Sequence, residues 1–213
     1  MLIEILVFRG VDELDFVGPL EVLRNAANRG ADFKMRVVAL SSNEAIQANH
    51  GLRFSVDGTL GSTGRPDLLL VPGGGWVRRA RHGAWVEAQN RAIPDAIARL
   101  HRSGTILAGV CTGTMLLAAA GVLRGRRATT HRLATEDLRA AGVEVISARV
   151  VDDGEIITSG GVTSGLDLAL YLTERFANRE MADLIAENLE YERRGPVHVS
   201  SATPRDTKGQ VAQ

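Results

Sequence analysis

One cysteine among 213 residues rules out an internal disulfide, and with it the small disulfide-stapled class of secreted domains. Charge of one sign is lacking too. The 25 basic and 25 acidic side chains cancel, so no overall field gathers nucleic acid, and no basic run offers the phosphate contacts it needs. Long apolar runs are missing: residues 66–72 and 115–123 fall far short of the ~20 residues that a bilayer span requires. The opening MLIEILVFRG lacks the charged start and extended apolar core of a secretory signal, so the expected compartment is the cytoplasm. HExxH and CxxC spacings do not occur, which argues against a metal site. No phosphate loop of the Walker type is present, and Arg78 stands where a dinucleotide fingerprint starting in PGGGW would need its third glycine. The expectation is a protein without cofactor, nucleic-acid partner or membrane, acting on a small molecule.

What remains is ample for a core, since 45% of the side chains are hydrophobic and the length suits one domain. Short apolar runs at 2–8, 34–41, 66–75 and 105–110 read as buried strands, several stopped by glycine. Between them lie helical patterns. One starts at Pro19 and stops at Gly30, a second is spread over 76–102 despite Pro94, and a third follows Cys111 and ends at Gly121. The segment around His50-Gly51 and RFSVDG reads as a small hairpin or edge strand, LATEDLRAAG as a helix, and VEVISARVVDDGEIITSGG as a strand plus a hairpin about Asp153-Gly154. Ser164 and Asp167 have the spacing of a capping box opening a helix, and another helix follows in REMADLIAENLEYERR. Apolar strands alternating with amphipathic helices predict a doubly wound α/β domain, with a mostly parallel sheet covered on both faces, over residues 1–195. Residues 196–213 are polar and without periodicity, and read as a flexible tail.

In such a sheet, ligands sit beyond the carboxyl ends of the strands. Three connections qualify: residues 9–19, the PGGGW turn, and the turn at Cys111. Cys111 comes directly after a strand and directly before a helix, with Gly109 and Gly113 beside it, which permits a tight elbow. A thiol at a helix start would have its pKa lowered below the free value of roughly 8.5, whereas a lone buried cysteine can equally serve as a small hydrophobe. The amides of Gly74 and Thr112 could point at a developing negative charge, with Gly75 in the same turn, although an isolated glycine triplet is often a plain turn. Asp15 is either a first-turn helix carboxylate or, if buried near the thiol, a proton-exchanging partner of it. His131 could line the same cleft or be a hydrogen-bonded structural histidine.

Four segments taken together, LDFVGPLEVL, LLLVPGGG, GVCTGTMLLAAAGVLRGRRATTH and ITSGGVTSGLDLAL, resemble the ThiJ/PfpI superfamily, over residues 2 to about 192. The aspartate in LDFVGP, the threonine after the cysteine, and the ATTH and GGVTSGLD segments are most similar to isocyanide hydratases. Sensor domains of certain transcription regulators share the same segments. The resemblance implies a flavodoxin-like fold, a homodimer, and a reactive cysteine on a strained elbow with an acidic partner, Cys111 and Asp15. It gives Thr112 a role in shaping the site, assigns Gly73, Gly74 and Gly75 to the glycine turn, and matches His131. Thr112 in place of histidine argues against the protease-like branch, and Asp15 in place of glutamate against the glyoxalase-like one. Arg132 departs from the tryptophan common after this histidine. The implied activity is hydration of a small isocyanide to an N-substituted formamide; a redox or ligand sensor and a glyoxalase-type enzyme are the alternatives. Fewer than twenty residues follow residue 195, too few for a helix-turn-helix module.

Overall fold

The structure is a computed structural model that describes residues 1–41 and 45–200. Its elements run in the order β1 (Leu2–Leu6), α1 (Glu13–Asn28), β2 (Lys34–Ala39), β3 (Ile46–Gln47), β4 (Arg53–Phe54), β5 (Gly58–Thr59) and β6 (Leu68–Val71). Next come α2 (Ala84–Asn90), α3 (Ala92–Arg102), β7 (Ile106–Val110), α4 (Gly113–Ala119), β8 (Arg127–Ala128), a 3-10 turn (Arg132–Ala134) and α5 (Thr135–Ala140). The chain continues through β9 (Glu144–Val145), β10 (Val150–Asp152), β11 (Ile156–Ser159), α6 (Ser164–Phe176), α7 (Arg179–Asn188) and β12 (His198–Val199).

Eight of the strands form one sheet in the order β12-β10-β11-β7-β6-β1-β2-β5. Its pairings are parallel except for the β10–β11 hairpin, whose turn is at Asp153-Gly154 as the sequence predicts. Successive strand residues point to opposite faces. All four residues of β6 are nonetheless buried, and so are all four of β11, so helices must cover both faces. They do so in two groups: α1, α6 and α7 pack on one another, as do α2, α3 and α4. This is the expected flavodoxin-like, doubly wound architecture. The segment from His50 to RFSVDG also behaves as predicted, giving the β3–β4 hairpin and the edge strand β5.

Several local expectations change. Helix α1 starts at Glu13 instead of Pro19, so Pro19 lies inside the helix. Without an N–H, Pro19 cannot bond the carbonyl of Asp15, and its ring packs instead where Gly165 of α6 leaves room. The helical stretch foreseen over 76–102 is two helices broken at Arg91, which has φ 66°, and residues 76–83 are a turn. Pro94 is accommodated in the first turn of α3, where its missing donor costs nothing. The capping box at Ser164 does not form. Thr163 is the cap residue but its side chain caps no helix amide, its Oγ1 accepting from the Arg149 guanidinium at 3.2 Å, while Asp167 accepts from Arg149 Nε at 2.7 Å, the Tyr191 hydroxyl at 2.9 Å and the Arg194 amide at 3.1 Å. A strong guanidinium partner outcompetes a local cap. The stretch beginning at residue 196, expected to be loose, opens with β12, which pairs in parallel with β10 at the sheet edge; residues 201–213 lie outside the described residues.

Candidate functional site

Sheet order explains why three distant connections meet. β7, β6 and β1 lie side by side, so the loops leaving their carboxyl ends share one edge, with the loop after β11 next to them. Registry adds detail: Val71 is opposite Gly109, which sets Pro72 and Gly73 alongside Val110 and Cys111. The Asp12 amide donates to the Gly73 carbonyl at 2.9 Å, tying the first loop to the second.

Cys111 is on a strained elbow. Its φ is 56°, in the left-handed region, which costs a non-glycine residue on the order of 1 kcal/mol. The surroundings hold it there: its amide donates to Ser159 O at 3.2 Å and Gly160 O at 3.0 Å, and its carbonyl accepts from Thr130 Oγ1 at 2.8 Å. The glycines on either side are required for close approach. A Cβ on Gly73 would come within 2.6 Å of the Thr112 amide nitrogen, and one on Gly113 would strike the Val71 carbonyl and sit 2.8 Å from Pro72 O. Gly113→Ala is therefore expected to cost about 3 kcal/mol or more in chemical denaturation; a loss below about 1 kcal/mol would show that the elbow yields easily.

Asp15 is the third residue of α1 and is wholly buried. Its carboxylate does not cap its own helix. Oδ2 accepts from the Gly73 amide at 2.9 Å, Oδ1 is buried without a hydrogen-bond partner, and the carboxyl group lies against the Cys111 thiol. Burial raises its carboxyl pKa well above the ordinary carboxylate range; the charge of Asp12 adds to this, and the Gly73 amide and the thiol oppose it. A carboxyl so placed holds its proton to higher pH than an exposed one.

The thiol behaves differently from the sequence expectation, which had the helix start lowering its pKa. Burial, then the charge of Asp15, push it up, and the amides of Val162 and Thr112 only partly counter this. The physical reason is that the sulfur lies inside the protein, 5% of the residue being exposed, and is backed by a carboxyl. A protonated Asp15 removes the opposing charge and offers an O–H to the sulfur, so ionisation of Cys111 depends on the state of Asp15.

The cleft in front of the sulfur has a volume of about 240 Å³ and is bounded by Gly74, Gly75, Trp76, Thr112, His131 and Val162, with Asp12 and Arg78 toward its mouth. Asp15 is not among its walls; it reaches the cleft only through the sulfur. Of the donors foreseen, the Thr112 amide does face the sulfur, but the Gly74 amide is taken, donating to Thr112 Oγ1 at 3.0 Å. Val162 supplies the second amide at the sulfur, from a backbone at φ 42°. Sequence reasoning missed it, although it lies in GGVTSG; only the adjacency of β11 and β7 reveals it. His131 lines the cleft with its Nδ1 accepting from the Leu133 amide at 3.2 Å, which leaves Nε2 as the protonated nitrogen. Burial, then the charge of Arg132, hold its pKa below the usual histidine value, against the pull of Asp12, so the ring is neutral at pH 7.

Metal-type donors come together at Asp12, Glu13 and His50, whose ligand atoms lie within 4.8 Å of one another. Glu13 Oε1 is already engaged by the His50 and Leu52 amides, at 2.7 and 3.3 Å, and His50 is largely exposed. Glu13 Oε2 is buried without a hydrogen-bond partner.

Residues 1–175 match the model of the DJ-1/PfpI family. The chain belongs to the DJ-1/PfpI family. Among its curated relatives, isonitrile hydratase of Pseudomonas putida is 32% identical over 87% of this chain and 76% of that protein. The transcriptional regulator CdhR of Pseudomonas aeruginosa is 31% identical over 85% of this chain, which spans about half the regulator's length. A ThiJ/PfpI family crystal structure from Pseudomonas syringae superposes with a TM-score of 0.79, at 28% identity, over 92% of this chain and 76% of that one. Within the DJ-1/PfpI family, then, relatives include both a hydratase and a regulator. No helix among the described residues is long and apolar enough to cross a membrane.

Proposed function

We propose that this DJ-1/PfpI protein hydrates a small isocyanide, using Cys111 as nucleophile and Asp15 as the proton carrier behind it. The observation that carries this reading is the buried Asp15 carboxyl, with Oδ1 unpartnered, set against the thiol of a cysteine strained at φ 56°. The similarity to isonitrile hydratase supports the choice of substrate.

In the first step the Cys111 sulfur bonds to the terminal carbon of R–N≡C. The proton held between Cys111 and Asp15 passes to that carbon, giving the thioimidate R–N=CH–S–Cys111. Water then adds to the same carbon, its proton going to nitrogen, to form R–NH–CH(OH)–S–Cys111. The C–S bond breaks, the sulfur takes back a proton, and R–NH–CHO leaves, so that isocyanide plus water equals formamide. The Thr112 and Val162 amides steady the sulfur as charge builds on it and departs. His131, neutral with Nε2–H available, and the Gly75 backbone in the glycine turn are the groups that receive the substrate in the cleft; Gly74 supports the site by holding Thr112.

The reading is tested with a compact alkyl isocyanide in water enriched in 18O. Label in the formamide carbonyl, together with a transient protein adduct of the isocyanide's mass on Cys111, is the expected outcome. Consumption of methylglyoxal without formamide formation would move the assignment to the glyoxalase-type alternative. Reversible oxidation of Cys111 with neither turnover would move it to a sensor.

We infer further that the protein is a homodimer built on α1, where Leu14 and Val17, three residues apart on one face, are 38% and 39% exposed. Light scattering is expected to return twice the chain mass, and Leu14→Glu with Val17→Glu to halve it.

A further inference from the structure

We propose that Asp137 is a positioning residue that holds Trp76 as the apolar wall of the Cys111 cleft and so sets how bulky a substrate is admitted; this rests on reading Cys111 as the reacting centre. Trp76 follows the glycine turn directly and is 6% exposed. One side of it borders the Cys111 cleft. The other borders a second hollow of about 560 Å³, with Trp85, Met115 and Ala118 around it. The ring is packed into the core, yet a hollow on either side leaves the indole room to turn unless a further tie fixes it.

Asp137, on α5, provides it. Trp76 Nε1 donates to Asp137 Oδ2 at 2.6 Å, and the Arg79 guanidinium reaches the same oxygen at 3.0 Å. Arg79 in turn lies 3.8 Å from the centroid of the Trp85 ring, and Trp85 meets Trp76 edge-on at 5.1 Å. The four side chains thus form a closed circuit in which the carboxylate joins the Trp76 indole to Arg79. Stability is a poor explanation for the arrangement, because Arg79 and Asp137 are 44% and 36% exposed, and such pairs contribute little to folding. Orientation of the indole is what the circuit delivers, at the boundary of the cleft.

Cys111 is the single cysteine, so its alkylation reports on the cleft without any turnover. Rates are compared for compact iodoacetamide and bulky N-cyclohexylmaleimide in wild type, Asp137→Ala, Asp137→Asn and Trp76→Phe. Asp137→Ala is expected to change the iodoacetamide rate by less than about twofold and raise the maleimide rate about tenfold, the scale on which a pocket wall discriminates bulk. Trp76→Phe, which lacks the indole N–H, should match it. Asp137→Asn, whose amide oxygen still accepts from the indole, should restore the wild-type ratio. Equal shifts for both reagents, no shift for either, or failure of the asparagine to rescue would each overturn the proposal. Isocyanide assays run in parallel keep the two readings apart: absence of turnover in wild type sinks the hydratase assignment and leaves the alkylation ratio to judge Asp137.

Discussion

Cys111→Ala is expected to lower isocyanide hydration by about 10⁴-fold or more while the protein keeps its fold and melting behaviour nearly unchanged. The expected size follows from the step it removes: without the sulfur no thioimidate forms, and losing a covalent nucleophile costs catalysis more than losing any single neighbour. The small structural effect follows from the backbone. Alanine inherits the left-handed φ of 56°, the amide's bonds to Ser159 O and Gly160 O, and the carbonyl's bond from Thr130 Oγ1, all of which involve main-chain atoms of residue 111. What is lost is one buried sulfur beside a carboxyl. Turnover by NMR detection of formamide and a circular-dichroism melt make the comparison. Formamide production within about tenfold of wild type would exclude the covalent route.

Asp15→Asn is expected to reduce turnover by about 10² to 10³-fold and yet make the folded protein more stable at neutral pH. The catalytic loss comes from removing the proton shared with the sulfur. The gain in stability comes from the opposite direction of the same physics. A carboxyl whose pKa is raised on folding binds more protons in the folded chain than in the unfolded one, so wild-type stability falls as pH rises from the unfolded carboxyl value of about 3.9 toward the raised folded one. Asparagine keeps an oxygen for the Gly73 amide and has no charge to bury. The stability difference between variant and wild type should therefore be near its smallest at about pH 4 and grow to about 1 kcal/mol by pH 8 in urea titrations. A difference that shrinks with rising pH would mean that Asp15 is ionised and stabilising in the native state. Alkylation of Cys111 should also be faster in this variant, because the charge opposing the thiolate is gone.

Both predictions concern residues visible in the sequence, and the reasons for their visibility are local. Cys111 is marked by an apolar strand ahead of it and helix formers behind, with glycines at 109 and 113 permitting the turn. Helix and strand positions were likewise readable where a single periodicity ran without competition, as in β1, β6 and β7. Readings failed where a distant partner outbid a local pattern. Asp167 belongs to Arg149 and Tyr191, not to a cap at Ser164. The amide of Gly74 belongs to the Thr112 side chain, not to an incoming ligand. Asp137, Asp12 and Val162 carry no local mark that separates them from ordinary surface and loop residues.

By itself, then, the sequence determined the alternation of strand and helix, the elbow at Cys111 and the DJ-1/PfpI membership, because these depend on neighbours within a turn or two of chain and on motif order. The tertiary structure alone decided how fully Asp15 is buried behind the sulfur, that Val162 and not Gly74 lends the second amide, and that burial pushes the pKa of the thiol up instead of down. Those properties depend on solvent exclusion and on which loops the strand order collects at one edge, and neither is written in any short stretch of residues.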